Sequence, residues 1–69
     1  MPEGVVKWFN PLKGFGFIVP DEGGRDVYVH HSVLHRAGLD GLNEGQRVFY
    51  ELEADGTGGK SRVAILRIR

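Results

Sequence analysis

The sequence contains no cysteine, only three prolines and no long apolar run. Without cysteine, a chain of 69 residues has neither a disulfide framework nor a thiolate metal site to stabilise it. No window approaches the ~18 apolar residues of a membrane span, and residues 1–4 lack the basic and apolar regions of a signal peptide. We therefore expect a soluble, cytoplasmic protein with no membrane partner, folded as a single domain over residues 1–69.

The chain also lacks an excess of charge of either sign. Nine lysines and arginines balance nine aspartates and glutamates, which gives a formal net charge of zero. A strongly basic composition is the usual electrostatic signature of a nucleic-acid-binding protein, and by count alone this chain does not have it. The distribution of charged and aromatic residues along the chain must therefore decide the function class.

Glycine and proline separate five short apolar runs, and no stretch shows a long helical period. This pattern predicts β-strands near residues 4–10, 14–20, 26–30, 47–54 and 62–68. Gly23 and Gly24, which tolerate positive φ, predict a hairpin turn between the second and third strands. Residues 31–46 form a connection long enough for a Greek-key crossover, with one helical turn near residues 32–34. The expected fold is all-β, a five-stranded antiparallel Greek-key barrel.

Two of the predicted strands carry rings on the side opposite their small or aliphatic residues. Phe15 and Phe17 alternate with glycines in KGFGFIVP, and Tyr28 and His30 alternate with valines in DVYVHH. If these strands pair as a hairpin, the four rings share one surface. Every base has a π-face, so an open aromatic surface with cations nearby holds unpaired nucleotides at ~1–3 kcal/mol per base.

Further candidate residues lie in and around the first strand. Lys7 and Trp8 are consecutive, so both can face outward only if the strand contains a β-bulge. Lys13, at the start of the second strand, is a second cation near the rings. Phe9 can belong either to the edge of the core or to the site. Asp26 can simply end the turn, or it can accept hydrogen bonds from a base edge.

Three motifs in this order resemble a known family. The segments GVVKWFN, KGFGFI and DVYVHHS are similar to the opening strand and the two ribonucleoprotein motifs of the bacterial cold-shock proteins, a branch of the oligonucleotide-binding barrels. The resemblance covers about residues 4–48. It implies single-stranded RNA and DNA as partners, an ATP-independent RNA-chaperone role, and no cofactor, catalysis or small-molecule substrate. It also implies nucleic-acid contacts at Lys7, Trp8, Phe9, Asn10, Lys13, Phe15, Phe17, Asp26, Tyr28 and His30.

The chain departs from the family pattern at several positions. His31 stands where the family usually has phenylalanine, so a smaller ring is expected to contact the strand there. Leu39 replaces a common aromatic of the long loop, and can cover a base edge without stacking. Leu12 replaces the usual acidic residue before Lys13, which favours phosphate contact at that lysine. We add His31 and Lys60 to the predicted contacts, Lys60 as a phosphate ligand.

Two segments look like parts of catalytic or metal sites but are incomplete. GTGGKS, residues 56–61, has Ala54 where a P-loop requires its first glycine, and the residues after it suit a strand. HHSVLH places His31 and His35 on one helical face without a carboxylate to complete a metal set. We therefore expect no enzymatic activity and no metal.

A protein-interaction module is the alternative function, because the zero net charge does not require a nucleic-acid partner. Its docking surface would be the aromatic sheet or the region of Phe49 and Ile65, near the apolar and basic C-terminal segment. The expected state is a monomer, with a dimer left open.

Overall fold

The computed structural model describes residues 2–54 and 61–68. Its elements in chain order are β1 Glu3–Asn10, β2 Phe15–Pro20, β3 Val27–His30, α1 His31–Arg36, β4 Arg47–Ala54 and β5 Ser61–Ile68. The five strands lie within one residue of their predicted boundaries. The helical turn predicted over residues 32–34 is a helix of six residues. Strand β5, and not a helix, follows the segment that looked like a P-loop.

The strands form a closed barrel in the order β1-β2-β3-β5-β4. Four of the neighbouring pairs are antiparallel, and β3 pairs with β5 in parallel through one residue pair, Tyr28 and Arg62. The all-β, five-stranded barrel is therefore confirmed, and every strand pair except the one between β3 and β5 is antiparallel. An odd number of strands cannot alternate in direction around a closed ring, so at least one pair must be parallel.

The barrel encloses one apolar core, to which every strand and the helix contribute. The buried hydrophobic residues are Val6, Ile18, Val27, Val29, Val33, Leu34, Val48, Tyr50, Val63 and Leu66. Phe9, Leu39 and Leu42 are partly buried and pack against this cluster. Among the described residues, no polar or charged residue is buried. The outward positions of the strands are therefore the ones available for binding.

The turn between β1 and β2 is held by a side chain of the first strand. The Asn10 Oδ1 atom accepts hydrogen bonds from the backbone N–H groups of Leu12, at 3.0 Å, and Lys13, at 3.1 Å. Gly14, predicted as the start of the second strand, belongs to this turn with φ of 79°. A φ in this region is costly for residues with a Cβ atom, so glycine is favoured here.

Ion pairs on the outer surface connect the strands at one side of the barrel. The Arg47 guanidinium of β4 donates to Glu3 of β1, at 2.7 Å, and to Asp21, directly after β2. The hydrogen bond to Glu3 contributes most to the rise of the Arg47 pKa above its ordinary value. No helix in the described part of the chain is long and apolar enough to cross a membrane.

Candidate nucleic-acid interface

The expected β-bulge lies in β1 and exposes two consecutive side chains. Val6 is opposite Ile18 and Trp8 is opposite Phe17, so Lys7 is an extra residue between two successive pairs. Val6 is buried, whereas Lys7 and Trp8 are both exposed. The bulge therefore allows a cation and an indole ring to lie side by side on the outer surface.

Five rings from three neighbouring strands form a continuous surface, which we call the aromatic platform: Trp8, Phe15, Phe17, Tyr28 and His30. The Trp8 ring centroid lies 5.5 Å from that of Phe15 and 5.3 Å from that of Phe17. Tyr28 lies 5.8 Å from Phe15, 5.9 Å from Phe17 and 6.4 Å from His30. The predicted hairpin of β2 and β3 is present, and it brings these rings together.

The platform lies on the opposite side of the sheet from the core. In β2 the buried residues are Gly16, Ile18 and Pro20, whereas Phe15 and Phe17 are only partly covered. Trp8 keeps 37% of its surface exposed, and His30 is exposed as well. Most ring pairs meet edge to face, with interplanar angles of 62° to 88°. A contiguous exposed aromatic surface on a small protein is typical of a binding site.

Gly16 allows β1 to lie close enough for Trp8 to reach the platform. A Cβ atom on Gly16 would be 2.4 Å from the Trp8 carbonyl oxygen and 2.8 Å from both the Cα and a ring carbon of Phe9. These distances are shorter than ordinary van der Waals contacts, so a side chain here requires the strands to separate. Gly16 therefore has a packing role, because the absence of a side chain at this position lets β1 and β2 lie close together.

The cations predicted beside the platform are exposed, and one of them is paired. The Lys7 Nζ atom donates to the Asp26 carboxylate at 3.0 Å, with 55% and 33% of the two side chains accessible. An exposed pair of this kind contributes ~0–1 kcal/mol, so a phosphate can replace the carboxylate at little cost. Lys13 is exposed on the turn that Asn10 holds.

His30 is fixed in place by the start of α1. Its Nδ1 atom accepts a hydrogen bond from the Ser32 backbone N–H at 3.1 Å and lies 3.0 Å from the Ser32 hydroxyl oxygen. Because Nδ1 accepts this hydrogen bond, the neutral ring carries its proton on Nε2, and the Nε2–H group is free to act as a hydrogen-bond donor. The sequence pattern predicts His30 on the platform but not this capping role, because histidine is not among the usual N-cap residues.

Two of the predicted contacts lie apart from the five platform rings. Phe9 packs against the core cluster, and its ring lies so close to Gly16 that a Cβ atom there would be 2.8 Å from a ring carbon. His31 begins α1, and its ring stacks on that of His35 with centroids 6.4 Å apart. The His31 backbone N–H donates to the Gly14 carbonyl, so the residue lies beside the β1–β2 turn. In the described part of the chain, no group of three potential metal ligands occurs.

The remaining sequence-based candidates have these positions. Lys60 lies outside the described residues. Leu39 is partly buried against the core, so less of its side chain is exposed to cover a base edge than its position in a loop predicts. Ile65 is exposed and Phe49 is partly buried on the outer face of β4 and β5. The sequence pattern indicates for Arg62 only a basic C-terminal segment, yet its pairing with Tyr28 places it beside the platform.

Comparisons with known proteins agree with this geometry. Residues 2–67 match the family model described as the 'Cold-shock' DNA-binding domain. The chain is 54% identical over 67 residues to the cold shock protein CspA of Rhizobium meliloti (strain 1021), covering 97% of each chain. It is 54% identical over 66 residues to the cold shock-like protein CspA of Rickettsia bellii (strain RML369-C), covering 96% of this chain and 91% of the relative.

A longer relative contains the same domain as one part. Over 63 residues the chain is 46% identical to glycine-rich protein 2 of Nicotiana sylvestris, covering 91% of this chain but 29% of that protein. The match to the family model spans nearly the whole chain, and the barrel and its outward rings are present. The protein therefore belongs to the family of the cold-shock DNA-binding domain.

Proposed function

We propose that this protein binds single-stranded RNA and DNA by stacking unpaired bases on the aromatic platform. Nucleic-acid binding itself follows from membership of the cold-shock domain family. The preference for single strands is supported by one observation above all: five rings with centroid separations of 5.3 to 6.4 Å form an open outer surface. Rings bind the faces of bases, and a duplex hides those faces within its stack.

The platform favours low sequence specificity. Stacking does not distinguish strongly between bases, because every base has a π-face of similar size. The groups beside the rings that can read a base edge are few, with Asp26 the predicted acceptor. Lys7 and Lys13 would contact phosphates, which carry no sequence information. Phe9, Asn10, His31 and Lys60 remain predicted contacts.

The mechanism proposed for the cell is that of an RNA chaperone. Strands that open transiently expose their bases, and binding to the platform prevents those bases from pairing again. The protein needs no ATP for this, since the binding free energy of the open strand opposes hairpin formation. A protein of this kind acts in the cytoplasm, where it influences transcription or translation by keeping regulatory segments unpaired.

Replacing one platform ring tests this function. We expect Phe17→Ala to weaken oligothymidine binding by ~1–3 kcal/mol, because a base loses its stacking partner. Ile18→Val is the matched control on the next residue: it removes one buried methyl group, costs ~0.5–1.5 kcal/mol of stability, and should leave binding unchanged. Affinities are measured by titration at fixed salt, and stabilities by urea unfolding. A folded Phe17→Ala variant with wild-type affinity would show that the ring does not hold a base.

The second candidate function is docking of a protein on the outer face of β4 and β5. The observation in its favour is that Ile65 keeps 46% of its surface exposed beside a groove of about 500 Å³. Nothing about this face identifies a partner, so it ranks below nucleic-acid binding. The oligonucleotide titration separates the two, since a docking module binds no oligonucleotide through its rings.

A further inference from the structure

The aromatic platform continues around the barrel into a charged residue. Trp8 pairs with Phe17, Phe17 pairs with Tyr28, and Tyr28 pairs with Arg62, so these residues form one row across neighbouring strands. On the far side of Arg62 the row ends at Glu53 of β4. A nucleic-acid strand that follows the rings toward β5 therefore meets a guanidinium directly after Tyr28.

A groove of about 310 Å³ opens at this point, between α1 and the β3–β5 pair. One wall is the end of the platform, formed by the Tyr28 and His30 rings. The helix contributes Ser32 and Arg36, and β5 contributes Arg62. The groove is thus continuous with the platform, and two arginines from different elements flank it.

The charges in the groove favour an anion. Arg62 donates to the Glu53 carboxylate at 3.0 Å, and the two side chains keep 58% and 47% of their surface accessible. Arg36 has no ion-pair partner among residues 2–54 and 61–68. Two guanidinium groups against one carboxylate leave the groove with one net positive charge. An exposed ion pair is weak, so Arg62 can exchange the carboxylate for a phosphate.

Guanidinium groups suit a phosphate better than a base edge in this position. Arginine presents planar donors that match two oxygens of a phosphate, and such charge-assisted bonds are stronger than neutral ones. The Nε2 atom of neutral His30 is a further donor, because its Nδ1 atom already accepts from Ser32. The groove therefore offers donors from a strand, a helix and a platform ring.

We propose that this groove is a phosphate subsite, in which Arg62 and Arg36 bind the backbone of the nucleotide that follows those stacked on the platform. The inference rests on the proposed single-strand binding and extends it beyond the five rings. Arg62 turns from Glu53 to the phosphate on binding. Glu53 restrains Arg62 in the free protein and lowers affinity for the strand through repulsion. The subsite sets the minimum length of strand that binds at full affinity.

The test uses the whole protein and oligothymidines of increasing length, with Arg62→Gln and Arg36→Gln as variants. Each substitution keeps a polar side chain and removes one charge. Arg67→Gln is the matched control, because Arg67 lies on the same strand, is exposed, and pairs with Phe49 away from the groove. The readout is the dissociation constant at several salt concentrations, from the fluorescence of Trp8.

We expect Arg62→Gln to weaken binding of long oligothymidines about fivefold at low salt and to make the slope of log affinity against log salt shallower by about 0.7. Arg36→Gln should act in the same direction and Arg67→Gln should not. Glu53→Gln should strengthen binding. For short oligothymidines that cover only the platform, the arginine variants should match the wild type.

Equal affinity and salt slope in wild type, Arg62→Gln and Arg36→Gln, at every length, would overturn the subsite. Weaker binding by Glu53→Gln would also overturn it, since it would mean that the carboxylate contacts the strand. In both cases the wild type still binds, so the proposed function stands. Failure of the wild type to bind any oligothymidine is a different result and removes both proposals.

Discussion

The close approach of β1 and β2 at Gly16 makes a prediction about a single methyl group. In Gly16→Ala, the new Cβ atom would be 2.4 Å from the Trp8 carbonyl oxygen and 2.8 Å from the Phe9 Cα atom. Two of the three nearest atoms belong to backbone, which cannot rotate away as the end of a side chain can. The strands must separate at the position that carries Trp8 onto the platform.

The expected cost follows from the size of this clash. Forcing an extra methyl group into a well-packed site costs ~1–3 kcal/mol. For a chain of 69 residues, a total stability of ~0.05–0.15 kcal/mol per residue amounts to about 3–10 kcal/mol. The substitution therefore removes a large fraction of the stability.

Gly41→Ala is the matched control for this experiment. The nearest atom to a Cβ on Gly41 is a ring carbon of Phe9 at 4.0 Å, and the residue has no positive φ. Both substitutions replace glycine with alanine and so lower the conformational entropy of the unfolded chain by the same amount. Where alanine fits the native structure, this effect stabilises a protein by ~0.4–1 kcal/mol. The difference between the two variants therefore isolates the clash at Gly16.

Urea unfolding followed by circular dichroism measures that difference. With a slope near ~1 kcal/mol per molar urea, the midpoint of Gly16→Ala should lie about 1–3 M below that of Gly41→Ala. Its affinity for oligothymidine should also fall, since the Trp8 backbone moves. Equal midpoints for the two variants would refute the argument that glycine is required there for the approach of the strands.

Two further predictions concern charge. Burial raises the pKa of Tyr50, and Glu22 and Asp21 add to the rise. The stability that comes from the neutral phenol is therefore complete below pH ~10 and is lost as the pH rises through the folded pKa. Urea midpoints between pH 8 and 11 should fall less in Tyr50→Phe than in the wild type, and identical profiles for the two proteins would contradict this. For oligothymidines that cover only the platform, log affinity should fall against log salt with a slope of about −2 for about three phosphate contacts, and Lys7→Met should reduce that slope to about −1.4. A wild-type slope beyond about −5 would mean that electrostatics dominate over stacking.

The strand positions and the platform were predictable because both follow from a period of two. Phe15 and Phe17 alternate with glycines, and Tyr28 and His30 alternate with buried valines, so the face of each ring is set by local sequence. The bulge was predictable too, since Lys7 and Trp8 are adjacent and both polar or aromatic. Gly14 was assigned to the wrong element because a glycine before a strand fits either a turn or a strand.

The rest of the candidate site depends on contacts between residues far apart in sequence. Arg62 lies 34 positions after Tyr28 in the numbering, and only the closure of the barrel places it there. The parallel pairing itself follows from counting five strands in a closed ring, an inference that the alternation pattern alone does not supply. The packing of Leu39 on the core depends on where the long connection folds back. The capping of α1 by His30 is local, and it was not predicted because histidine is not among the usual N-cap residues.

The most direct measurement of the central claim is a titration of the wild-type protein with oligothymidine while the fluorescence of Trp8 is recorded. Trp8 is partly exposed and touches Phe15 and Phe17, so a base that stacks on the platform lies against the indole. We predict saturable quenching by the single strand at low salt and much weaker quenching by a duplex of the same length. A flat titration with the single strand, or equal quenching by the duplex, would contradict base stacking on this surface.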